Sequence, residues 1–238
     1  MTSSKKVPAI LLVGGLGTRL RSVVSDRPKP MADIQGKPFL EYLVKRLIDQ
    51  GFDEIIMCVS YMKENIINYF TTHYDKYVRF AVEDEPLGTA GALRNAERMF
   101  SSANKILVLN GDTIVDMDYR DLVSFHDKNQ ADVTLTLTKG DSAKYGRVKM
   151  RDIRIVDFAE KSGEPTGLIS AGVYVIETSA LKEIPEKRIF SLEKEFLPSI
   201  LNTKRVFGYV IEQSFVDMGE PATYEYLKKN SELLEGST

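Results

Sequence analysis

Leu11-Leu12-Val13-Gly14-Gly15-Leu16-Gly17-Thr18-Arg19-Leu20 carries an apolar strand straight into a glycine-rich loop, and Arg27-Pro28-Lys29-Pro30-Met31 follows soon after. The continuous apolar run Ile10–Val13 is what a strand covered on both faces requires. Glycine has no Cβ, so backbone N–H groups can close on phosphate oxygens, and positive φ costs little. Arg19 adds a guanidinium fork, and Lys29 adds a point charge clamped between prolines. This combination suits a nucleoside triphosphate better than a neutral metabolite.

Outward from the loop, strands and helices alternate. Phe39, Leu40, Leu43, Val44, Leu47 and Ile48 share one helical face, which Gly51 terminates. A strand is expected over 54–59, a helix over 63–70, a strand over 78–82, a helix over 89–100 and a fully apolar strand over 105–109. That order implies a parallel sheet with helices on both faces, and ligands in such sheets bind at the carboxyl ends of the strands. The glycine loop and Asp112 lie at two such ends and are expected to share one cleft. The second half reads as strand-rich: 133–138, a hairpin of 147–150 with 153–158, 169–176 and 206–211. Short helices are expected near 179–184 and 192–201, and a final helix from Pro221 to about Leu234. The expected fold is α/β, a Rossmann-like, mixed, mainly parallel central sheet flanked by helices, with a smaller antiparallel lobe. A single domain is expected over 1–238, with two functional lobes: about 1–115 for the nucleotide, and about 116–238, with the C-terminal helices, to cover a second substrate.

Bulk properties narrow the function. The 238 residues carry a net charge of −2, which argues against a general nucleic-acid or membrane-surface binder. Phosphate recognition must then come from a few cations placed in a cleft. Cys58, the single cysteine, sits in an apolar run and reads as a buried thiol of a cytoplasmic protein. The polar N-terminus is not a signal peptide, and no apolar run reaches membrane-spanning length. His73 and His126 lie in no motif and read as surface or helix-end residues.

The loop alone is ambiguous. Gly15-Leu-Gly17-Thr-Arg-Leu20 matches only part of a dinucleotide-binding fingerprint, because Leu20 stands at the third glycine position, and no Gly-Lys-Ser/Thr closes it as a P-loop. Joined to Pro28-Lys-Pro-Met31, it resembles the signature of the sugar-1-phosphate nucleotidyltransferases. Further matches run in order: Glu85-Pro-Leu-Gly-Thr-Ala-Gly91, Leu109-Asn-Gly-Asp112, Tyr145-Gly-Arg-Val148, Phe158-Ala-Glu-Lys161 and Phe215-Val-Asp-Met-Gly219. Within that family, Leu20-Arg-Ser-Val-Val24 and Phe190-Ser-Leu-Glu193 are most similar to the D-glycero-α-D-manno-heptose-1-phosphate guanylyltransferases.

The resemblance implies attack of a sugar phosphate oxygen on the α-phosphorus of a nucleoside triphosphate, with release of pyrophosphate. The nucleophile is already anionic at neutral pH, so no general base is needed, and the task is positioning and charge stabilisation. Arg19 and Lys29 are the implied catalytic cations, Arg19 for the β- and γ-phosphates and Lys29 for the α-phosphate. Asp112 and Asp217 are the implied Mg²⁺ ligands, a hard cation that takes one or two carboxylates plus substrate oxygens. Leu12, Gly14, Gly15, Gly17, Thr18, Glu83, Pro86, Gly88, Thr89 and Asp112 would contact the nucleotide. Gly88 is expected beneath the base, and the Glu83 carboxylate would accept the N1–H and N2–H₂ donors of guanine. GTP is therefore favoured, although the N3–H of uracil or thymine could also donate there.

On the sugar-phosphate side the implied residues are Asn110, Tyr145, Gly146, Glu160, Lys161, Ser170 and Gly172. Ser170-Ala-Gly172 stands where many relatives carry an asparagine, which leaves heptose, mannose and glucose 1-phosphates in view. Arg27 has no fixed place in the pattern. Tyr224, Tyr226, Phe196 and Leu197 read as packing, with a homo-oligomer interface as the other use open to them. The sequence stops soon after its last helix, so no appended β-helical or regulatory domain is expected. A non-catalytic nucleotide-sugar-binding regulator is the rival of a different class; it would be expected to lack a metal aspartate or a phosphate cation, and Arg19, Lys29, Asp112 and Asp217 are all present.

Overall fold

The computed structural model describes residues 6–15, 17, 20, 23–24, 26–159, 166–186, 188–212 and 215–235. Thr18, Arg19, Glu160 and Lys161 lie outside the described residues. The first half builds β1 (Ala9–Leu12), the hairpin β2 (Asp33–Ile34) and β3 (Lys37–Pro38), α1 (Phe39–Asp49), β4 (Ile55–Val59), α2 (Lys63–Tyr74), β5 (Val78–Val82), α3 (Gly88–Ala96) and β6 (Lys105–Asn110). Next come β7 (Thr113–Val115), α4 (Tyr119–Lys128), β8 (Val133–Asp141), α5 (Ser142–Tyr145), β9 (Arg147–Arg151), β10 (Arg154–Ala159) and β11 (Thr166–Glu177). The chain continues through α6 (Leu197–Ile200), β12 (Val206–Val210), β13 (Phe215–Asp217), α7 (Pro221–Lys229) and α8 (Glu232–Glu235).

A nine-stranded sheet in the order β5-β4-β1-β6-β11-β8-β12-β10-β9 runs through both halves of the chain. β5, β4, β1 and β6 are mutually parallel, as are β8 and β12, while β11 is antiparallel to β6 and β8. The antiparallel lobe expected from the second half is present in these pairings and in the β10–β9 hairpin. It continues the parallel sheet rather than standing apart from it. Successive residues of a strand face opposite sides, so β1 feeds two cores: Ala9 and Leu11 join α1, α2 and α4 on one face, and Ile10 joins α3 and α6 on the other.

α1 forms as its spacing dictates. Leu40, Leu43, Val44 and Leu47 are fully buried, and Gly51, at φ +86°, ends the helix. The single final helix expected from Pro221 onward is instead two: α7 stops at Asn230 (φ −135°, ψ 53°) and α8 follows. α4 and the short β7–β13 ribbon were not expected from sequence. Among the described residues no helix is long and apolar enough to cross a membrane.

Candidate active site

The register of β1 on β6 sets Leu12 beside Asn110, so the glycine loop after one strand and Asp112 after the other emerge side by side. The approach is close. A Cβ on Gly111 would sit 2.2 Å from Val13 Cγ1 and 3.0 Å from the Leu12 carbonyl, and the Gly111 N–H donates to that carbonyl at 3.0 Å. Asp217 is far away in sequence, and the ribbon delivers it. β13 runs antiparallel to β7 with Asp217 opposite Thr113, and the Met218 N–H donates to the Asp112 carbonyl at 2.9 Å.

Both carboxylates meet one ammonium. Lys29 Nζ lies 2.6 Å from Asp112 Oδ2 and 3.7 Å from Asp217 Oδ1, with the lysine side chain only 8% exposed. Lys29 stands in a tight 3-10 turn with Pro30 and Met31. The carboxylate oxygens have further partners. Thr113 Oγ1 donates to Asp112 Oδ1 at 3.1 Å, the Gly219 N–H to Asp217 Oδ1 at 2.6 Å, and the Tyr145 hydroxyl to Asp217 Oδ2 at 2.9 Å. Burial first, then the neighbouring Asp217 charge, raises the Tyr145 phenol above its ordinary value. A cleft of about 190 Å³ opens here, lined by Leu12, Val13, Gly15, Gly17, Lys29, Pro30, Asp112 and Gly219.

Along the rim the expected residues appear in spatial order. Glu83 follows β5, Ser60 follows β4 and Gly14 follows β1; a Cβ on Gly14 would lie 3.2 Å from Ser60 Cβ and 3.4 Å from Glu83 Oε1. Asn110 and Asp112 follow β6, and beyond them comes Gly172 of β11, whose neighbour Val173 pairs with Leu109. Gly172 has φ +73°, and a Cβ there would strike the Asn110 amide nitrogen at 2.7 Å. Ser170 Oγ accepts the Gly172 N–H at 3.2 Å and lies 3.0 Å from the Tyr174 hydroxyl, which donates to Glu193. The structure therefore gathers Gly14, Gly15, Gly17, Lys29, Asp112 and Asp217 at the cleft, with Glu83 on one flank and Tyr145, Ser170 and Gly172 on the other.

Several of the expected residues also carry local structural tasks. Gly88, expected beneath a base, has its Cβ position filled by main chain: φ is +73° and the Phe190 carbonyl oxygen would lie 2.7 Å away. That carbonyl accepts the Ala90 and Gly91 N–H groups at 2.9 and 3.2 Å, which satisfies donors at the start of α3. Thr89 is exposed, and its hydroxyl accepts the Leu192 N–H at 2.7 Å, while Pro86 is exposed. Glu83 is buried rather than part of a solvated acidic turn. Its Oε2 accepts the Leu87 N–H at 2.9 Å, closing the loop, and burial raises its carboxyl above the ordinary value against that hydrogen bond. Gly146 (φ +78°) ends α5. Arg27 pairs with its neighbour Asp26 on the surface. Tyr145's hydrogen bond to Asp217 was not read from the sequence, because the two residues lie 72 positions apart; the supporting N–H of Gly219 is local to Asp217 and was not read either.

His73 is exposed near the end of α2, but His126, in the last turn of α4, is buried rather than on the surface. Its ring lies 2.9 Å from Thr134 Oγ1 and 3.2 Å from Glu177 Oε1. With Asp127 and Glu177 it forms a set of potential ligand atoms within 4.8 Å of one another. Lys105 already pairs with both acids, and the set lies at the amino end of β6, where Glu177 faces Lys105. This is the edge of the sheet opposite the cleft.

Residues 8–234 match the nucleotidyl transferase family, and the chain belongs to it. It is 39% identical over 223 residues to the D-glycero-alpha-D-manno-heptose 1-phosphate guanylyltransferase of Aneurinibacillus thermoaerophilus, covering 93% of this chain and 96% of the relative. The enzyme of the same name from Campylobacter jejuni is 36% identical over 227 residues, covering 94% of this chain and 99% of the relative. The crystal structure of HddC from Yersinia pseudotuberculosis complexed with GMP-PN superposes with a TM-score of 0.83 at 35% identity, covering 94% of this chain and 99% of that one.

Proposed function

We propose that the protein transfers GMP from GTP to D-glycero-α-D-manno-heptose 1-phosphate, giving GDP-heptose and pyrophosphate. The observation that carries this reading is the single ammonium of Lys29 bridging Asp112 and Asp217 beside an open glycine loop. The names of the 36–39% identical relatives support the guanylyl and heptose assignments. The order along the rim fits a nucleotide followed by a sugar phosphate: a buried carboxyl at Glu83 for the base, glycine N–H groups for the phosphates, and Tyr145, Gly146, Ser170 and Gly172 for the sugar.

An oxygen of the sugar phosphate forms the new bond to the α-phosphorus, and the bond from that phosphorus to the bridging oxygen breaks as pyrophosphate leaves. No side chain needs to take a proton from the attacking phosphate, which fits a cleft remote from His126. Asp112 and Asp217 form an all-oxygen set around one cationic position, which suits Mg²⁺; when bound there, the ion would neutralise phosphate oxygens as charge builds on them. Lys29 meets the α-phosphate, and the glycine N–H groups hold the triphosphate in line. Arg19 is assigned the leaving pyrophosphate from its place in the motif, and Glu160 with Lys161 the sugar and its phosphate. We place the reaction in the cytoplasm, as the work of one domain.

Pyrophosphate release measured with GTP, UTP, dTTP and ATP against heptose, mannose and glucose 1-phosphates tests the assignment. GTP with the heptose phosphate should give the highest kcat/KM. Preference for UTP or dTTP would overturn the base assignment, and a preferred mannose or glucose phosphate the sugar assignment.

A further inference from the structure

Lys29 is held by its surroundings as well as by its charge partners. Its turn is closed by the Met31 N–H to the Pro28 carbonyl at 2.8 Å and the Ala32 N–H to the Lys29 carbonyl at 3.0 Å. Gly17 presses on its stem, where a Cβ would come 2.8 Å from Lys29 Cβ. Only the outer part of the side chain is left to move. The ammonium at its tip already neutralises both carboxylates, on Asp112 Oδ2 and facing Asp217 Oδ1. The other two carboxylate oxygens accept from Thr113 and from Tyr145. A divalent cation bound to both aspartates would share that small polar space with a like charge, and the repulsion at contact distance in a half-buried site is large.

We propose that Lys29 is the built-in counter-cation of the metal site. It holds Asp112 and Asp217 in position and must withdraw before a divalent ion binds both. The phosphate chain of the nucleotide is the anion that draws it off. Nucleotide and metal therefore load together, each raising affinity for the other, as linkage requires. This inference rests on the assignment of the two aspartates as metal ligands.

Mn²⁺ alone, followed by its electron paramagnetic resonance signal, is titrated into the wild type, Lys29→Met, Lys29→Gln and the double variant Lys29→Met/Asp112→Asn, with thermal melts to confirm folding. Both lysine variants should bind Mn²⁺ more tightly than the wild type, by about tenfold or more, although they lose turnover. The double variant should lose that gain. Equal or weaker Mn²⁺ binding in the folded lysine variants overturns the counter-cation role and leaves the aspartate assignment standing. A gain that survives in the double variant places the ion elsewhere and overturns both.

Discussion

Glycines at the cleft do two different jobs, and the space around each separates them. Gly111 is glycine because Val13 leaves no room for a Cβ, whereas a Cβ on Gly15 meets nothing within 4 Å. Gly15 is also exposed, so folding does not require glycine there, whereas the phosphate approach of the proposed function does. Gly15→Ala should leave the melting temperature of the free protein nearly unchanged, within about 0.5 kcal/mol of stability, and raise the KM for GTP. Gly111→Ala should destabilise by about 1–3 kcal/mol through overpacking. Isothermal denaturation and steady-state kinetics on the two variants check this; a strongly destabilised Gly15→Ala with unchanged KM would reverse the argument. Lys29, Asp112 and Asp217 were legible in the sequence because each sits in a short, ordered motif. The second task of Glu83, closing its own loop on the Leu87 N–H, was not, since three acids in a row carry no sign of which one turns inward.

At the scale of elements, the site depends on joints between pieces that are individually weak. α3 begins where the Phe190 carbonyl takes the N–H groups of Ala90 and Gly91, and the Phe190 N–H in turn donates to the Leu87 carbonyl at 2.8 Å. Gly88 lies between, in the left-handed region and against that carbonyl. Gly88→Ala therefore combines backbone strain with a clash and should cost about 1–3 kcal/mol, seen as a lower denaturation midpoint with faster amide exchange at the start of α3. An unchanged midpoint would show that the joint is not tight. The buried strands and α1 were readable because apolar runs and the i, i+3, i+4 face are local patterns. β7 and β13 have three residues each, too short to show a period, and their pairing is set by distant chain. α4 was missed although Asp118 caps it and Tyr119, Leu122 and His126 lie buried along it, because no glycine or proline marks its ends.

For the molecule as a whole, one sheet carries the Glu83 flank, the cleft and the Gly172 flank, and its far edge is fastened by a buried polar group. His126 ties α4 to β8 through Thr134 and to β11 through Glu177. Burial holds its imidazole below the ordinary value; Lys105 pushes in the same direction, and Glu177 and Asp127 pull against it. The folded protein thus binds this proton less readily than the unfolded chain does. The stability so gained is complete above the ordinary imidazole value of 6.5 and is lost as pH falls below it toward the lower folded value. The melting temperature should drop between about pH 7.5 and about pH 5.5, and less so in His126→Gln. An identical pH profile in that variant would exclude His126 as the source. The continuity of the sheet across both halves was the least readable feature, because β11 joins β6 to β8 by pairings that no local pattern encodes.

The most direct test is the anomalous scattering of Mn²⁺ in crystals grown with a non-hydrolysable GTP analogue. One strong peak should lie within about 2.0–2.3 Å of a carboxylate oxygen from each of Asp112 and Asp217, with the Lys29 ammonium turned toward the α-phosphate. A peak bound by His126, Asp127 and Glu177 instead, with Lys29 still bridging the two aspartates beneath a bound nucleotide, would contradict the account.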